Sequence, residues 1–142
     1  MLNKRHLLKL AATALLAAAM PALAGDYVAP PEGHVAVHYQ RPDGKYDNWG
    51  LHIWKSPNIG LVGWGSPMMP TGTDDFGPYW HLKLSDFGSS GQVNYIIHKG
   101  DSKDQNGKDM SFDGKANKEV WIISGDVKIY PSKAEALAAV KK

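Results

Sequence analysis

Residues His38 to Trp54 read HYQRPDGKYDNWGLHIW, and this stretch decides the fold. Pro42-Asp43-Gly44 and Asp47-Asn48 supply turn residues, because Pro presets its own backbone angle and Gly, Asp and Asn tolerate tight turns. From Trp49 to Lys55, side chains that suit a core alternate with others that do not. Alternation with a period of two is typical of a β-strand. We therefore predict a hairpin whose second strand starts at Trp49.

The two faces of this strand differ in character. Trp49, Leu51 and Ile53 share one face, and Gly50, His52 and Trp54 share the other. One of the two faces has to point away from the core. The alternation leaves two interpretations of Trp54 open: an indole on an exposed face, or part of a small second core beneath a loop. An exposed indole suits a sugar, because the apolar C–H face of a pyranose packs against the negative face of the ring.

The remainder of the chain after residue 24 is patterned as an all-β domain. Short apolar or alternating runs are separated by Gly, Pro, Asn and Asp, as in a β-sandwich. The predicted strands are Val35 to Arg41, Trp49 to Lys55, Gly60 to Trp64, Tyr79 to Leu84, Val93 to His98, Glu119 to Ser124, and Val127 to Tyr130. This order predicts an immunoglobulin-like sandwich of two antiparallel sheets. Trp80 and Trp121 lie among other apolar residues and are predicted to be core.

One short helix is predicted at the C-terminal end of the chain. Ser132-Lys133-Ala134-Glu135 matches a capping box after Pro131, in which the Ser and Glu side chains satisfy free backbone N–H groups. Helical spacing places four residues on one stripe: Ala134, Leu137, Ala138 and Lys141. Because so short a helix is marginal by itself, we expect it either to dock on the sandwich or to fray.

The first 24 residues carry the features of a signal peptide. Three basic residues precede an apolar run from Leu10 to Met20, and Ala22-Leu23-Ala24 has the pattern of a cleavage site. The apolar run is shorter than the about 20 residues of a membrane span, so no membrane insertion is expected after the leader is removed. We predict a single mature domain, residues 25–142, exported to the periplasm or the medium.

The composition narrows the classes of function. Removing the three basic leader residues from 16 leaves 13 basic against 14 acidic residues, a net charge of −1. A nucleic-acid partner is therefore not expected, since such partners require a basic patch. The chain has no cysteine, so packing without disulfides has to stabilise the fold and no lipid anchor on cysteine is expected. A neutral ligand fits this balance.

Four segments carry a resemblance to a known family. They are VHYQRPDGKYDNWGLHIW (Val37 to Trp54), GTDDFGPYW (Gly72 to Trp80), VNYIIHKGDSKD (Val93 to Asp104) and EVWIISGD (Glu119 to Asp126). In this order they resemble the bacterial pullulanase-associated domain, carbohydrate-binding module family 41, from about Val35 to Tyr130. The resemblance implies a β-sandwich that binds α-glucans such as starch, pullulan, glycogen or maltooligosaccharides and is not itself catalytic.

The resemblance also implies site residues. Two ring-bearing residues, one position apart on a strand, face consecutive glucose units in the family, and His52 and Trp54 match them. The predicted carbohydrate-binding residues are His52, Trp54, Lys99, Lys103 and Asp104, with Trp49 and Trp64 as secondary candidates. The lysines donate hydrogen bonds to sugar hydroxyls and the aspartate accepts them. His52 stands where some members have a second tryptophan, so weaker or pH-dependent binding is expected.

Catalysis and metal binding find little support in the residues. The chain has no G-x-S-x-G, H-E-x-x-H or P-loop motif. A pair among Asp74, Asp75, Glu119 and Asp126 leaves a remote glycosidase alternative, since that chemistry needs only two carboxyl groups. The acidic run from Asp101 to Asp113 fails the calcium-loop pattern, and histidines 38, 52, 81 and 98 fit surface or packed positions better than a zinc site. We predict no catalytic residue, cofactor or metal.

Two expectations concern partners. A catalytic β/α barrel needs about 250 residues, so we expect a stand-alone domain whose glycoside hydrolase, where one takes part, is a separate chain. The rival hypothesis is an exported protein-interaction domain that kept the sandwich, lost glycan binding and uses the same exposed aromatics to contact another protein.

Overall fold

The computed structural model describes residues 25–54 and 62–140. Within these ranges the strands are β1 (His34–Gln40), β2 (Gly50–Trp54), β3 (Gly72–Thr73), β4 (Pro78–Lys83), β5 (Gln92–Lys99), β6 (Ser102–Lys103), β7 (Met110–Asp113) and β8 (Glu119–Ile123), and the helix is α1 (Lys133–Val140). Residues 1–24, where we predict the signal peptide, lie outside the described residues. The predicted all-β architecture with a short C-terminal helix is confirmed.

The strands form two sheets. The first has the order β3-β4-β1-β8, and in the second β5 pairs with β2 along one edge and with β6 and β7 along the other. β1 and β2 therefore lie in different sheets, so the predicted hairpin between them is wrong, and the turn residues between them carry the chain from one sheet to the other. β1 and β8 run parallel, with Val37 opposite Val120, so the expectation of purely antiparallel sheets is wrong for this pair. The strands of the second sheet all lie between β1 and β8 in the chain. The connection from β1 to β8 is therefore long enough to let the two strands pair in parallel.

The core lies between the two sheets. Inward-facing residues of β1, Val35, Val37 and Tyr39, meet those of β5 in one buried cluster. Trp80 belongs to this cluster and is 0% exposed, which confirms its predicted place. Its indole N–H donates to the carbonyl oxygen of Met68 at 2.9 Å, so the one polar atom of the ring is satisfied.

The short strands differ most from the sequence-based prediction. Residues 60 and 61 lie outside the described residues, and Val62 to Trp64 form a loop rather than the end of a strand. In the predicted strand Val127 to Tyr130, only Tyr130 pairs, in an isolated bridge with Trp121. Strands β3 and β6 were not predicted because they have two residues each, and β7 was not predicted because it has four, of which Ser111 and Asp113 carry little intrinsic strand preference. Pairing with a neighbouring strand creates them.

A second cluster covers the outer face of the first sheet. It consists of Phe76, Ile123 and Ala136, with Trp121, Tyr130 and Leu137 partly buried against it. The prediction that Trp121 is buried in the main core is wrong. Alternation along β8 sends Val120 and Ile122 inward, which leaves Trp121 half-buried on the opposite face.

Helix α1 docks on this second cluster. Ser132 Oγ accepts the N–H of Glu135 at 3.2 Å and donates to the Glu135 carboxylate at 2.9 Å. The serine half of the predicted capping box is therefore present, whereas the Glu135 side chain bonds the Ser132 hydroxyl rather than its backbone N–H. Of the predicted stripe, Leu137 is partly buried against the second cluster, whereas Ala134 and Ala138 are exposed and the prediction is wrong for them; Lys141 lies outside the described residues. Ala136, which the stripe did not include, is buried. The helix therefore packs on the sheet through Ala136 and Leu137.

Candidate functional site

Aromatic rings gather on the outer face of the second sheet. Alternation along β2 places His52 and Trp54 there. In the register with β5, His98 lies opposite Gly50 on the same face, and the loop residue Trp64 covers it. We call His52, Trp54, Trp64 and His98 together the aromatic surface. His98 is fully buried, whereas the other three rings are half-buried and accessible.

The loop that carries Trp64 is held against β2. Leu51 and Met68 exchange two backbone hydrogen bonds, each 2.9 Å long. A Cβ on Gly50 would lie 2.7 Å from the ring atoms of Pro67, so only glycine lets this loop approach the strand so closely. These contacts fix the loop and thereby place Trp64 over the sheet.

The rings have defined mutual geometry. Trp64 stacks on His98 with ring centroids 3.7 Å apart and planes 6° apart. The planes of His52 and Trp54 differ by 18°, with centroids 5.8 Å apart. His52 meets Trp64 edge to face at 5.3 Å. Two neighbouring rings with nearly parallel planes, next to a third at a steep angle, form a platform for flat, partly apolar ligands.

The turn between β5 and β6 fixes the orientation of Trp64. The indole N–H of Trp64 donates to Asp101 Oδ1 at 3.0 Å. His98 Nδ1 lies 2.8 Å from the carbonyl oxygen of Gly100, which can only accept, so Nδ1 carries the proton. Lys103 Nζ lies 5.5 Å from the centroid of the Trp64 ring, within the range of a cation–π contact. The ring is thus held before any ligand arrives.

Lys103 and Asp104 point in opposite directions, although the sequence analysis predicts both as ligand contacts. In the register of β5 and β6, Lys103 lies opposite His98 and therefore on the outer face. Asp104 follows it in the chain, and its N–H donates to Ile97, an inward-facing residue. Consecutive residues of a strand alternate between faces. The structure brings Lys103 to the aromatic surface and Asp104 into the interior.

Asp104 is 7% exposed and its oxygen atoms already have protein partners. Oδ1 accepts the backbone N–H groups of Gln105 at 2.6 Å and Gly125 at 2.7 Å. Oδ2 accepts the hydroxyl of Tyr39 and lies 3.5 Å from the guanidinium of Arg41. Burial raises the pKa of Asp104, but these hydrogen bonds outweigh it and leave the pKa below its ordinary value. Asp104 stabilises the fold as a buried carboxylate, and its predicted contact with sugar does not fit this place.

Trp49 and Lys99 also lie away from the aromatic surface. Trp49 shares its strand face with Leu51 and packs partly against the main core. Its ring is covered by the guanidinium of Arg41, whose Cζ lies 4.1 Å from the ring centroid. Lys99 is exposed at the end of β5, but alternation places it on the face opposite His98. Of the predicted residues, the structure brings together His52, Trp54, Trp64 and Lys103.

A cleft of about 500 Å³ opens beside Trp64. It is lined by Asn48, Trp64, Gly65, Ser66, Pro67, Met69, Gly100 and Asp101. From the sequence pattern alone, Asp101 is expected in a solvated loop. The pattern does not indicate a ligand-binding role for Asn48 or Ser66. They reach the cleft through loops whose paths no local pattern specifies.

The electrostatics of the surface favour uncharged ligands. Burial lowers the pKa of His52 below its ordinary value, and the neighbouring His98 and Lys103 side chains lower it further. His52 is therefore a neutral ring at pH 7. In the described residues, no group of three or more His, Cys, Asp or Glu side chains is arranged to hold a metal ion.

A half-exposed row of rings beside a cleft, on one face of a β-sandwich, defines a binding module for small or chain-like ligands. The chain belongs to the family described as bacterial pullanase-associated domain, which matches residues 33–131. This family is an accessory domain of pullulanases, and membership supports carbohydrate binding in general. In the part of the chain that the structure describes, no helix has the length and apolarity of a membrane span.

Curated relatives include an alpha-amylase and a pullulanase of much greater length. The chain is 39% identical over 79 residues to an alpha-amylase from Streptomyces lividans, covering 56% of this chain and 8% of that protein. It is 36% identical over 100 residues to a pullulanase from Klebsiella aerogenes, covering 66% of this chain and 9% of that protein. The chain therefore spans less than a tenth of the length of these two relatives.

Solved structures share the fold. A ligand-free pullulanase from Klebsiella pneumoniae superposes with a TM-score of 0.68 at 25% identity, over 85% of this chain and 13% of that one. A structure described as α-glucan recognition by family 41 carbohydrate-binding modules from streptococcal virulence factors gives a TM-score of 0.62 at 23% identity. That match covers 75% of this chain and 50% of that one, and it shows the β-sandwich fold alone.

Proposed function

We propose that this chain binds α-glucans without catalysis, through the aromatic surface of the second sheet. The observation that carries the proposal is the pair of neighbouring rings, His52 and Trp54, with centroids 5.8 Å apart and planes 18° apart, on an accessible strand face. Successive glucose units present apolar C–H faces, and each ring offers a negative π-face to one of them. Stacking of this kind supplies affinity without requiring charge.

Polar groups next to the rings supply orientation. Lys103 lies on the same face and carries three donors for sugar hydroxyls. Asp101 is exposed, and with Oδ1 bonded to Trp64 its Oδ2 stays available as an acceptor. In this proposal Asp101 takes the role that the sequence analysis gives to Asp104, because Asp104 is buried. Lys99 and Trp49 are left out because they lie on the other face.

The non-catalytic part of the proposal is supported by the acidic groups around the site. Glycoside hydrolysis needs two carboxyl groups that flank the scissile bond. Among the described residues that line the cleft, Asp101 alone carries a carboxylate, and the indole N–H of Trp64 donates to one of its oxygens. We further propose that the domain is exported, with residues 1–24 as its signal peptide, and serves a glycoside hydrolase by holding the polymer.

Isothermal titration with maltotetraose and with cellotetraose tests the function. Both are chains of four glucose units and differ in the linkage. We expect saturable binding of the α-linked ligand, with a dissociation constant on the order of micromolar to millimolar, and no heat with the β-linked one. Equal binding of the two would reject α-glucan selectivity. Absence of binding to either, from a folded sample, would favour the protein-interaction hypothesis.

A matched pair of lysine variants tests the site. Lys103→Gln and Lys99→Gln remove the same charge from two exposed positions on opposite faces. We expect Lys103→Gln to weaken maltotetraose binding by about tenfold, the loss of one charge-assisted hydrogen bond. Lys99→Gln should bind like the unmodified chain. The opposite ranking would place the ligand on the other face of the β5–β6 turn.

A further inference from the structure

The cleft adjoins the aromatic surface, because Trp64 belongs to both. Its volume of about 500 Å³ lies within the 300 to 1,000 Å³ of typical small-ligand sites. Its walls come from three separate loops, which contribute Asn48, Ser66 and Asp101. A ligand chain that leaves the aromatic surface past Trp64 therefore enters a second, walled compartment.

The polar groups of the cleft suit a neutral ligand rich in hydroxyl groups. Asn48 offers an amide donor and acceptor, Ser66 a hydroxyl, and Asp101 the oxygen not used by Trp64. Within the described residues, the side chains of Asn48 and Ser66 have no hydrogen-bond partner. Met69 is 57% exposed on the wall and adds apolar area for the C–H groups of a sugar. No lysine or arginine lines the cleft as described, so an anion is not the ligand it suits.

Asn48 is held in an uncommon backbone conformation. Its φ is +62°, in the left-handed region that few residues other than glycine adopt. Gly would be the default residue here, since it adopts this conformation without a steric cost. An asparagine in this place supplies an amide group at the mouth of the cleft, and asparagine is one of the residues other than glycine that adopt this conformation most readily.

We propose that the cleft is a further subsite, which holds a glucosyl unit of the same α-glucan chain beyond the units on the aromatic surface. The inference rests on the proposed function. It assigns Asn48, Ser66 and Asp101 as the hydrogen-bonding groups of the subsite and Trp64 as the wall that it shares with the aromatic surface. The domain consequently prefers longer chains over short ones.

The dependence of affinity on chain length tests the subsite. Titrations with maltotriose and maltohexaose compare a ligand that fills the aromatic surface with one that also reaches the cleft. We expect the unmodified chain to bind maltohexaose about tenfold more tightly, as two neutral hydrogen bonds would provide. In the double variant Asn48→Gly, Ser66→Ala, maltotriose affinity should stay within about twofold, and most of the gain for maltohexaose should disappear.

A matched control excludes a general effect of the substitution. Asn106 has a φ of +59° and is exposed, but it does not line the cleft. Asn106→Gly therefore makes the same chemical change in the same backbone conformation elsewhere, and it should keep the full gain for maltohexaose. Glycine fits both positions, so both variants should fold, which circular dichroism checks.

The outcomes separate this inference from the proposed function. Loss of the maltohexaose gain in the cleft variant alone supports the subsite. An unmodified chain that binds both oligosaccharides equally, or a cleft variant that keeps the full gain, overturns the subsite and leaves the proposed function standing. An unmodified chain that binds neither ligand overturns the proposed function, and the subsite with it.

Discussion

Both outer faces of the sandwich hold a tryptophan stacked on a histidine. On the second sheet, Trp64 and His98 have ring centroids 3.7 Å apart and planes 6° apart. On the first sheet, Trp121 and His38 have centroids 4.8 Å apart and planes 3° apart. In both pairs the histidine is buried and the tryptophan is half-buried. Counting aromatic residues would not distinguish these two faces.

What surrounds each pair does distinguish them. On the first sheet, Tyr27 of the N-terminal segment lies 5.1 Å from the ring of His38, and α1 packs on the cluster that includes Trp121. His38 there faces two carboxylates, Asp74 at 3.8 Å and Glu119 at 3.2 Å. The second sheet instead presents Lys103, accessible rings and a cleft. The first face is therefore a small second core, whereas the second face is accessible and is the one that we propose binds the ligand.

The largest effect is expected at Asp104, which separates the interior from the binding surface. Asp104→Ala leaves the Tyr39 hydroxyl and two backbone N–H groups without their acceptor, while Arg41 keeps its ion pair with Asp43. We expect a loss of about 3 to 5 kcal/mol in the free energy of unfolding, measured by urea denaturation. Asp101→Ala, at an exposed carboxylate, should change it by less than about 0.5 kcal/mol. A stable Asp104→Ala variant with weakened glucan binding would restore Asp104 as a ligand contact.

A second effect concerns His38 on the covered face. Burial lowers its pKa from 6.5 to about 4, despite the opposing charge of Asp74. Because the folded state favours the neutral ring, the contribution of His38 to the free energy of unfolding is fully present above pH 6.5. This contribution is lost as the pH falls toward 4. The loss from this group amounts to about 3 kcal/mol.

Urea denaturation at pH 7 and pH 5 checks this effect. His38→Gln should flatten the decrease between the two pH values, because its side chain does not titrate. His34→Gln, a histidine at the half-exposed start of the same strand, should retain the decrease. A decrease that is unchanged in His38→Gln would contradict the assignment of the pH dependence to this residue.

The next effect tests which face binds the ligand. Trp54→Ala removes the larger of the two parallel rings, and we expect at least a tenfold loss of maltotetraose affinity, about 1.4 kcal/mol, in isothermal titration. Tyr27→Ala is the matched control, since Tyr27 is an aromatic residue 39% exposed on the opposite face. It should leave the affinity within about twofold. If Tyr27→Ala were the damaging variant, the ligand would bind to the first sheet.

The smallest expected effect is a gain in affinity for maltotetraose. His52→Trp enlarges the ring that lies beside Trp54, and we expect maltotetraose to bind about fivefold more tightly because stacking area increases. The variant also removes the titrating ring with the lowered pKa. Any decrease in affinity of the unmodified chain below pH 6 should therefore be smaller in the variant. An unchanged affinity at pH 7 would show that His52 does not stack on the ligand.

The sequence predicts the part of the site that lies on one strand. Alternation along β2 is sufficient to place His52 and Trp54 together, because neighbours on a single strand need no tertiary information. The same rule also predicts that Trp49 lies on the other face, and that adjacent positions such as Lys103 and Asp104 separate wherever they form a strand. The family resemblance implied that Lys103 and Asp104 both contact the sugar. Their separation was not foreseen, because β6 has only two residues and was too short to recognise from its sequence.

The remainder of the site depends on tertiary contacts. Trp64 reaches His98 because Pro67 packs on Gly50 and Met68 pairs with Leu51. Neither contact has a local pattern that predicts it. The same limit explains Trp121, whose apolar neighbours favour burial in the main core, while the docking of α1 decides that a second cluster forms on the outer face.

Nuclear magnetic resonance of the five tryptophan indole N–H groups during titration with maltotetraose shows which of the two sheets binds the ligand. It observes both faces of the sandwich in one sample. If the ligand binds to the aromatic surface of the second sheet, we expect saturable shifts of the Trp54 and Trp64 signals, while those of Trp80 and Trp121 stay in place. A shift of the Trp121 signal, with those of Trp54 and Trp64 unmoved, would contradict it and assign binding to the first sheet.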